Sequence, residues 1–222
     1  KTHGLIDNLV DSSMLSDDTR VVLVNAIYFW DNWKNQFNPN DTENRDFYIT
    51  PDKTKSIPTM YQENSFNYYE SEELDAQILE MPYKADNFSF VLWLPRKKDG
   101  LSDIVEKLRN PDTFIESLIH FTREKVKVYL PVMKVESSID MKDLSIKANI
   151  TEMFSASDEF KGILKDDIPL YISYVVQQAQ ILVTETGTEA AAATGVAISV
   201  LSFVYPPPEI IIVDANHPYV YS

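Results

Sequence analysis

The side chains that most often perform chemistry are few in this sequence and lie far apart. The three histidines are His3, His120 and His217, and none lies near another along the chain. Zinc sites usually draw on ligands at short spacing, so we predict no metal site. The chain has no cysteine, no Gly-x-Ser-x-Gly nucleophile motif and no glycine-rich phosphate loop. The sequence therefore predicts a protein that is not an enzyme and needs no cofactor.

One segment stands out for its backbone properties, residues 184–209, TETGTEAAAATGVAISVLSFVYPPPE. Its four consecutive alanines favour helix, whereas VAISVLSFV favours strand, and a triple proline follows. Side chains as small as alanine bury too little surface to hold such a segment against a core. We therefore expect an exposed loop over about residues 186–208.

The same residues would also make a good strand. In a strand one face would carry small side chains only, those of Thr188, Ala190, Ala192 and Thr194, and the other face those of Glu189, Ala191, Ala193 and Gly195. Because the first face is small throughout, the strand could enter between two existing strands without overpacking the layer beneath. Gly187 provides a backbone pivot at the base of the segment. The pattern predicts a loop that can become a strand.

The elements that must position this loop are mostly strands. Residues 20–30, RVVLVNAIYFW, are typical of a strand buried on both faces, in which Asn25 would be hydrogen-bonded. Further strands are predicted at 45–50, 65–70, 76–82, 87–94, 126–130 and 171–185, and helices at 101–108, 114–119 and 139–148. Strand runs separated by grouped helices indicate an α+β fold with mixed and antiparallel sheets in a single domain.

Four stretches resemble the serpins, the family of serine protease inhibitors. ETGTEAAAAT at 185–194 resembles the reactive-loop hinge of the inhibitory members, and LVNAIYF at 23–29 with Trp33 resembles the third strand of their sheet A. DANHPYVY at 214–221 resembles the segment that returns to the core after the loop, and YLPVMKVESSIDMKDL at 129–144 resembles a Leu-Pro-Lys-Phe stretch. The resemblance covers essentially all 222 residues in the family's order.

The resemblance implies an inhibitor that works as a trapped substrate, metastable before cleavage and monomeric when complete. A serine protease would attack one bond of the loop and form an acyl-enzyme, and the cleaved loop would insert into the central sheet and deform the attached protease. The implied hinge residues are Glu185, Gly187, Thr188, Glu189, Ala190, Ala191, Ala192, Ala193 and Thr194. The implied residues that control sheet opening are Asn25, Trp33 and Gln177, and Gln177 stands where many serpins carry a histidine.

Family spacing from the hinge places the reactive bond at Leu201–Ser202. A leucine suits a serine protease with a hydrophobic primary pocket, of the chymotrypsin-like or elastase-like type. A trypsin-like pocket requires arginine or lysine, and residues 190–208 contain neither. Phe203 and Tyr205 are the alternatives to Leu201.

The resemblance also indicates that the chain is truncated at both ends, so that 1–222 would be part of a single serpin domain. Missing strands would leave apolar surface and sheet edges uncovered. Three hypotheses follow: the complete protein is an inhibitor, it is a non-inhibitory serpin acting as carrier, storage protein or chaperone, or the truncated chain is inactive. The alanine run in the hinge favours the first hypothesis.

The composition limits which partners and which cellular location we expect for this protein. Asp and Glu number 34 against 20 Lys and Arg, so we expect no nucleic acid partner. The uncharged stretch 190–208 approaches the length of a membrane span, but its prolines and weakly hydrophobic alanines argue against one.

Asn40, Asn87 and Asn149 begin N-glycosylation motifs, although Asn87 is expected to start a core strand. These motifs favour a secreted glycoprotein whose signal peptide is not in this chain, with an intracellular location as the alternative.

Overall fold

The computed structural model describes residue 10 and residues 12–15, 19–29, 31–85, 87–155, 170–187 and 210–222. Its strands are β1 (Val21–Tyr28), β2 (Glu43–Thr50), β3 (Lys53–Ser71), β4 (Ala76–Pro82), β5 (Ser89–Pro95), β6 (Thr122–Pro131), β7 (Met133–Asp140), β8 (Ile172–Val183), β9 (Ile211–Asp214) and β10 (Val220–Tyr221). Its α-helices are α1 (Leu101–Leu108), α2 (Pro111–Ile119) and α3 (Lys142–Lys147), and short 3-10 turns lie at Ser12–Met14, Pro39–Asp41 and Glu152–Phe154. The predicted α+β class is confirmed. The chain divides into two compact units, residues 1–29 with 134–181, and residues 30–133 with 182–222.

The first unit is built on a three-stranded sheet in the order β1, β8, β7. β1 and β8 are parallel, with Asn25 opposite Gln177 and Tyr28 opposite Gln180. Gln180 is buried, and its amide nitrogen donates to Glu136 of β7 at 2.8 Å. The sheet is therefore joined by side-chain amide contacts as well as by its backbone ladder.

The prediction that residues 20–30 are buried on both faces is wrong for this structure. Leu23, Val24 and Ile27 are 48, 42 and 48% exposed. Among the described residues β1 is an edge strand whose ladder partner is β8. The sequence is suited to a fully buried strand, but the residues that the structure describes leave Leu23, Val24 and Ile27 partly uncovered.

The second unit contains a seven-stranded sheet in the order β10, β5, β4, β3, β6, β9, with β2 paired to β3. β3 runs for 19 residues and pairs with β2, β4 and β6 in antiparallel register. The predicted strand at 65–70 is only the end of it, because Pro58 and the polar run Gln62, Glu63, Asn64 conceal its first part in sequence. β6 likewise begins four residues before its predicted start.

One core cluster of the second unit lies between this sheet and the helix pair α1 and α2. Ile78, Trp93 and Ile104 are at most 1% exposed, and Phe114 and Leu118 of α2 pack against this cluster. The Trp93 indole donates from Nε1 to Ser117 Oγ at 3.0 Å, so its polar group is satisfied inside the core. α1 has the predicted bounds, whereas α2 begins at Pro111 after the cap Asn110, three residues before the predicted start, and ends at Ile119 as predicted.

Two local predictions need correction. Residues 139–148 were expected to be helical, but β7 extends to Asp140 and the helix α3 covers only Lys142–Lys147. β5 starts at Ser89, so Asn87 precedes the strand and is exposed. Both errors are boundary errors of a few residues.

Candidate functional site

The structure describes five of the predicted site residues: Asn25, Trp33, Gln177, Glu185 and Gly187. The other hinge positions and the predicted reactive bond lie outside the described residues, and these are Thr188, Glu189, Ala190, Ala191, Ala192, Ala193, Thr194, Leu201 and Ser202. The site can thus be built from the residues on either side of the segment 188–209. The hinge base (residues 184–187) precedes it, and the return segment (residues 211–217) follows it.

The hinge base is a tight reversal of the backbone immediately after β8. Thr184 N donates to Gly187 O at 2.8 Å, and Gly187 N donates to Thr184 O at 3.2 Å. The Thr184 hydroxyl also donates to Gly187 O at 2.9 Å. Three hydrogen bonds within four residues give this turn a defined shape.

Gly187 occupies a position that no other residue type fits. Its φ is +138°, a conformation that L-residues rarely adopt. It forms an antiparallel bridge with Asn32, and an added Cβ would lie 2.2 Å from Asp31 O and 2.5 Å from Asn32 Cα. The obstructing atoms belong to the backbone, so a side chain at 187 would displace the turn from residues 31–33.

Trp33 holds the hinge base from the other side. Its backbone N donates to Thr186 O at 2.9 Å, and its indole Nε1 donates to Thr184 O at 2.8 Å. The side chain is 2% exposed, stacks on Tyr83 at 4.7 Å between ring centroids, and meets Phe37 and Phe90 edge-on. A buried indole whose single donor is used on the hinge base orients that turn with little freedom.

Glu185 has two further contacts that the sequence did not predict. Its carbonyl accepts from Phe37 N at 2.8 Å, and its carboxylate accepts from the Thr42 hydroxyl at 2.8 Å. Thr42 is 143 residues away in sequence, so no local pattern signals this pair. The hinge base is consequently held by residues 31–42 along its whole length.

Asn25 and Gln177, both of the first unit, face each other across the parallel β1–β8 ladder. Asn25 Nδ2 donates to Gln177 Oε1 at 3.5 Å, a long hydrogen bond. Asn25 is thus hydrogen-bonded as predicted, although it is exposed. Of the three residues predicted to control sheet opening, the structure places Asn25 and Gln177 in contact with each other.

The return segment is held by backbone hydrogen bonds, among them one from Ala215 N to Tyr129 O at 2.9 Å, and by side chains. β9 lies at the sheet edge, parallel to β6 over four residue pairs. Arg45 pairs with Asp214 at 2.9 Å while its guanidinium lies 3.9 Å from the centre of the Tyr129 ring. Because a four-residue parallel edge strand is weak by itself, the ion pair and the cation–π contact stabilise its position.

His217 ends the return segment in a buried environment. It is 6% exposed, and Nε2 donates to Pro95 O at 2.7 Å, since a carbonyl can only accept. Burial lowers the pKa of His217 below its ordinary value, and nearby Lys98 acts in the same direction. Its other ring nitrogen, Nδ1, lies 2.8 Å from Asn216 Oδ1, so both ring nitrogens are used in hydrogen bonds.

Within the described residues no three His, Asp or Glu side chains form a group that could hold a metal ion. In the same part of the chain, none of the helices combines the length and apolar character that crossing a bilayer requires. What the arrangement offers is a segment of 22 residues, 188–209, held at both ends by the second unit.

The chain matches known proteins along its whole length. The family model described as serpin (serine protease inhibitor) matches residues 1–222. The chain is 37% identical over 220 residues to antichymotrypsin-2 of Bombyx mori, covering 99% of the chain and 58% of the relative. It is 37% identical over 221 residues to antitrypsin of the same organism, covering 100% of the chain and 56% of the relative.

Among solved structures, the fold matches Serpin48 of Tenebrio molitor, described as a highly specific serpin, with a TM-score of 0.78 and 35% identity. The match covers 99% of this chain and 57% of Serpin48. The chain thus spans little more than half the length of the relatives that it matches. A family model that covers all 222 residues, together with these relatives, shows that the chain belongs to the serpin family.

Proposed function

We propose that the complete protein inhibits serine proteases as a suicide substrate. The protease would attack the loop at about 186–208, and Leu201–Ser202 would be the reactive bond. The observation that carries this proposal is the hinge base, a backbone turn with Gly187 at φ +138° that leads directly into a stretch of small side chains. A linker without this role would require neither the glycine nor the alternation of small residues.

The reaction would begin as ordinary proteolysis. The protease serine would attack the carbonyl carbon of Leu201, the bond to the nitrogen of Ser202 would break, and an ester would join Leu201 to the protease. The residues from Gly187 to Leu201 number 15, which as a strand span about 50 Å. Insertion of this strand would carry the attached protease across the molecule before the ester is hydrolysed.

The sheet of the first unit supplies a reason for insertion. β1 and β8 are parallel neighbours, and a strand that leaves β8 through the turn at 184–187 would run antiparallel to both. Insertion would replace one parallel ladder by two antiparallel ladders, which are the more stable kind per residue. The driving force is therefore the gain of backbone hydrogen bonds.

The contact between Asn25 and Gln177 would slow this insertion. They are direct partners across the β1–β8 ladder, and their 3.5 Å side-chain hydrogen bond would have to break as the strands separate. A bond this long offers weak resistance. We expect Gln177→Ala to accelerate insertion, measured as a faster rate of complex formation.

The target would be a protease with a hydrophobic primary pocket. Leu201 is apolar and residues 190–208 contain no arginine or lysine, so the loop offers nothing to the acidic pocket of a trypsin-like enzyme. Phe203 or Tyr205 would serve the same class of pocket. We also propose that the complete protein is a secreted, metastable monomer.

The test is incubation of the complete protein with chymotrypsin, followed by denaturing electrophoresis. The proposal predicts a complex that survives denaturation and a released C-terminal peptide that begins at Ser202 by mass spectrometry. Trypsin should form no such complex through this loop. Cleavage by chymotrypsin without a stable complex would contradict inhibition and favour a carrier or storage role.

A matched pair of hinge variants sharpens the test. Ala192→Arg places a large charge on the face that is small throughout, whereas Ala193→Arg places it on the opposite face. If the first face turns inward on insertion, Ala192→Arg converts the inhibitor into a substrate and Ala193→Arg leaves complex formation nearly intact. Equal behaviour of the two variants would contradict insertion with this register.

A further inference from the structure

We propose that Asn149 carries an N-linked glycan that covers the apolar end of helix α3. The proposal rests on the secretory location proposed above, and otherwise on the local structure. Asn149, Ile150 and Thr151 form an acceptor motif, in which the asparagine amide is joined to the sugar. Asn149 and Thr151 are both exposed.

Asn149 lies on the turn that ends helix α3, and its backbone conformation defines that turn. Asn149 has φ +64°, in the left-handed region, immediately after the helix cap Ala148. Asn149 N donates to Ile146 O at 2.9 Å, and Ile150 N donates to Ser145 O at 2.9 Å. These are the two bonds of a Schellman motif, in which the left-handed residue is usually glycine and sometimes asparagine.

Both of these cap bonds are made by the backbone, so the amide of Asn149 is not needed for them. Glycine would form the same motif at least as well, because it has no penalty at positive φ. The helix end alone therefore does not account for an asparagine followed two positions later by threonine. An exposed amide on a rigid turn is a suitable attachment point for a glycan.

The surroundings of Asn149 give the glycan a role. α3 has no buried residue, and Leu144, Ile146 and Ile150 are 47, 44 and 53% exposed. These three apolar side chains lie within five residues of Asn149 and border the turn that carries it. A glycan on Asn149 would shield whatever part of this apolar surface stays exposed in the complete protein, where it would otherwise favour association.

The two other acceptor motifs differ from this one in what their hydroxyl residues contact. In the motif of Asn40 the Thr42 hydroxyl is bonded to Glu185 of the hinge base. In the motif of Asn87 the hydroxyl residue is Ser89, which opens β5 and pairs with Pro82 of β4. The motif at 149–151 differs from both in that its hydroxyl residue, Thr151, is exposed and makes no side-chain cap hydrogen bond to the turn that follows it.

The experiment is production of the complete protein behind a cleavable signal peptide in eukaryotic cells, with site-specific glycopeptide mass spectrometry. Asn149→Gly keeps the helix cap and removes the acceptor, Thr151→Ala removes the recognition residue, and Thr151→Ser retains it. We expect the wild type and Thr151→Ser to carry a glycan at 149. Asn149→Gly and Thr151→Ala should have a lower apparent mass on electrophoresis, by the mass of one glycan that an endoglycosidase removes. Unmodified Asn149 in the secreted wild type would overturn the proposal.

Whether the glycan shields the apolar surface is tested by a separate measurement. Enzymatic removal of glycans should increase the fluorescence of a hydrophobic dye bound to the wild type, and should change it far less for Asn149→Gly. An equal change in both proteins would show that the glycan does not cover this surface. Neither measurement involves a protease, so a protein glycosylated at Asn149 that fails to inhibit would refute only the proposed function.

Discussion

The two ends of the proposed loop are attached to the second unit in different ways. At the hinge base the contacts are mainly backbone hydrogen bonds within 184–187 and to residues 33–37, with Gly187 packed directly on backbone atoms. At the return segment the strand ladder is short, and an ion pair, a cation–π contact and a buried histidine supplement it. The first attachment depends mainly on backbone shape, and the second adds side-chain contacts to a short backbone ladder.

This difference predicts how each end responds to change. An attachment that depends on backbone shape tolerates almost no added volume, so its failures are large. An attachment made of several side-chain contacts loses them one at a time, so its failures are graded and sensitive to charge and pH. If this contrast holds, the largest losses of stability occur at the hinge base and the smallest at the return segment.

Gly187→Ala should destabilise the protein most. The added Cβ would lie 2.2 Å from Asp31 O, and φ +138° is strained for alanine, so we expect a loss of about 3 kcal/mol or more in the free energy of unfolding. The measurement is urea denaturation. Gly100→Ala is the matched control: its added Cβ would also crowd a neighbour, Pro95 Cβ at 2.9 Å, but Gly100 has an ordinary φ of −78°, so its loss should be smaller. Equal losses in the two variants would refute the special role of Gly187.

Trp33→Phe should have the next largest effect. The variant loses the 2.8 Å hydrogen bond to Thr184 O and leaves a cavity beside Tyr83, which together cost about 2–3 kcal/mol. Trp93→Phe is the control, since Trp93 is equally buried and donates to Ser117 away from the hinge base. Hydrogen exchange should show faster exchange of Gly187 N–H in Trp33→Phe only. Unchanged exchange in that variant would mean that Trp33 does not hold the turn.

The Arg45–Asp214 pair should contribute a moderate coupling energy. Its side chains are 30% and 25% exposed, between a surface pair and a buried pair, so a double-mutant cycle with Arg45→Gln and Asp214→Asn should give about 1 kcal/mol. The pair Arg109 and Glu106, each 72% exposed, serves as the control and should give a coupling near zero. A coupling at 45 and 214 no larger than the control would show that the ion pair does not stabilise β9.

His217 should give the smallest effect, seen as pH dependence. Burial lowers its pKa in the folded protein, whereas the unfolded chain titrates near the ordinary value of about 6.5. Its contribution to stability is therefore complete above about pH 6.5 and is lost as the pH falls through the lowered folded-state pKa. The measurement compares urea denaturation of the wild type and His217→Gln between neutral and acidic pH. Parallel curves for the two proteins would contradict this assignment.

Local patterns in the sequence were sufficient for some elements and not for others. α1 and β4 have their predicted bounds, because an amphipathic helix and a short apolar strand with clear turn residues are specified locally. β3 was largely missed, since its polar first half is a strand only through its partners β2 and β6. Burial of β1 was overestimated because the sequence reports what a strand is suited to and not what covers it.

The candidate site shows the same division. The sequence indicates that Gly187 lies at a pivot, since glycine is scarce in this chain and precedes a run of small residues. It does not indicate that Gly187 packs on residues 31–33, that Trp33 donates to Thr184, or that Thr42 bonds to Glu185, because 143 or more residues separate these partners. Contacts at that separation follow from the tertiary fold.

The central claim is that the segment after Gly187 becomes a strand once the loop is cut. The most direct measurement is the thermal unfolding midpoint of the complete protein before and after cleavage within 196–208 by a protease that is not trapped. Insertion would add two antiparallel ladders, so the account predicts a large rise in the midpoint for the wild type and little rise for Ala192→Arg. A cleaved wild type that unfolds at the same temperature as the intact protein, or below it, would contradict the account.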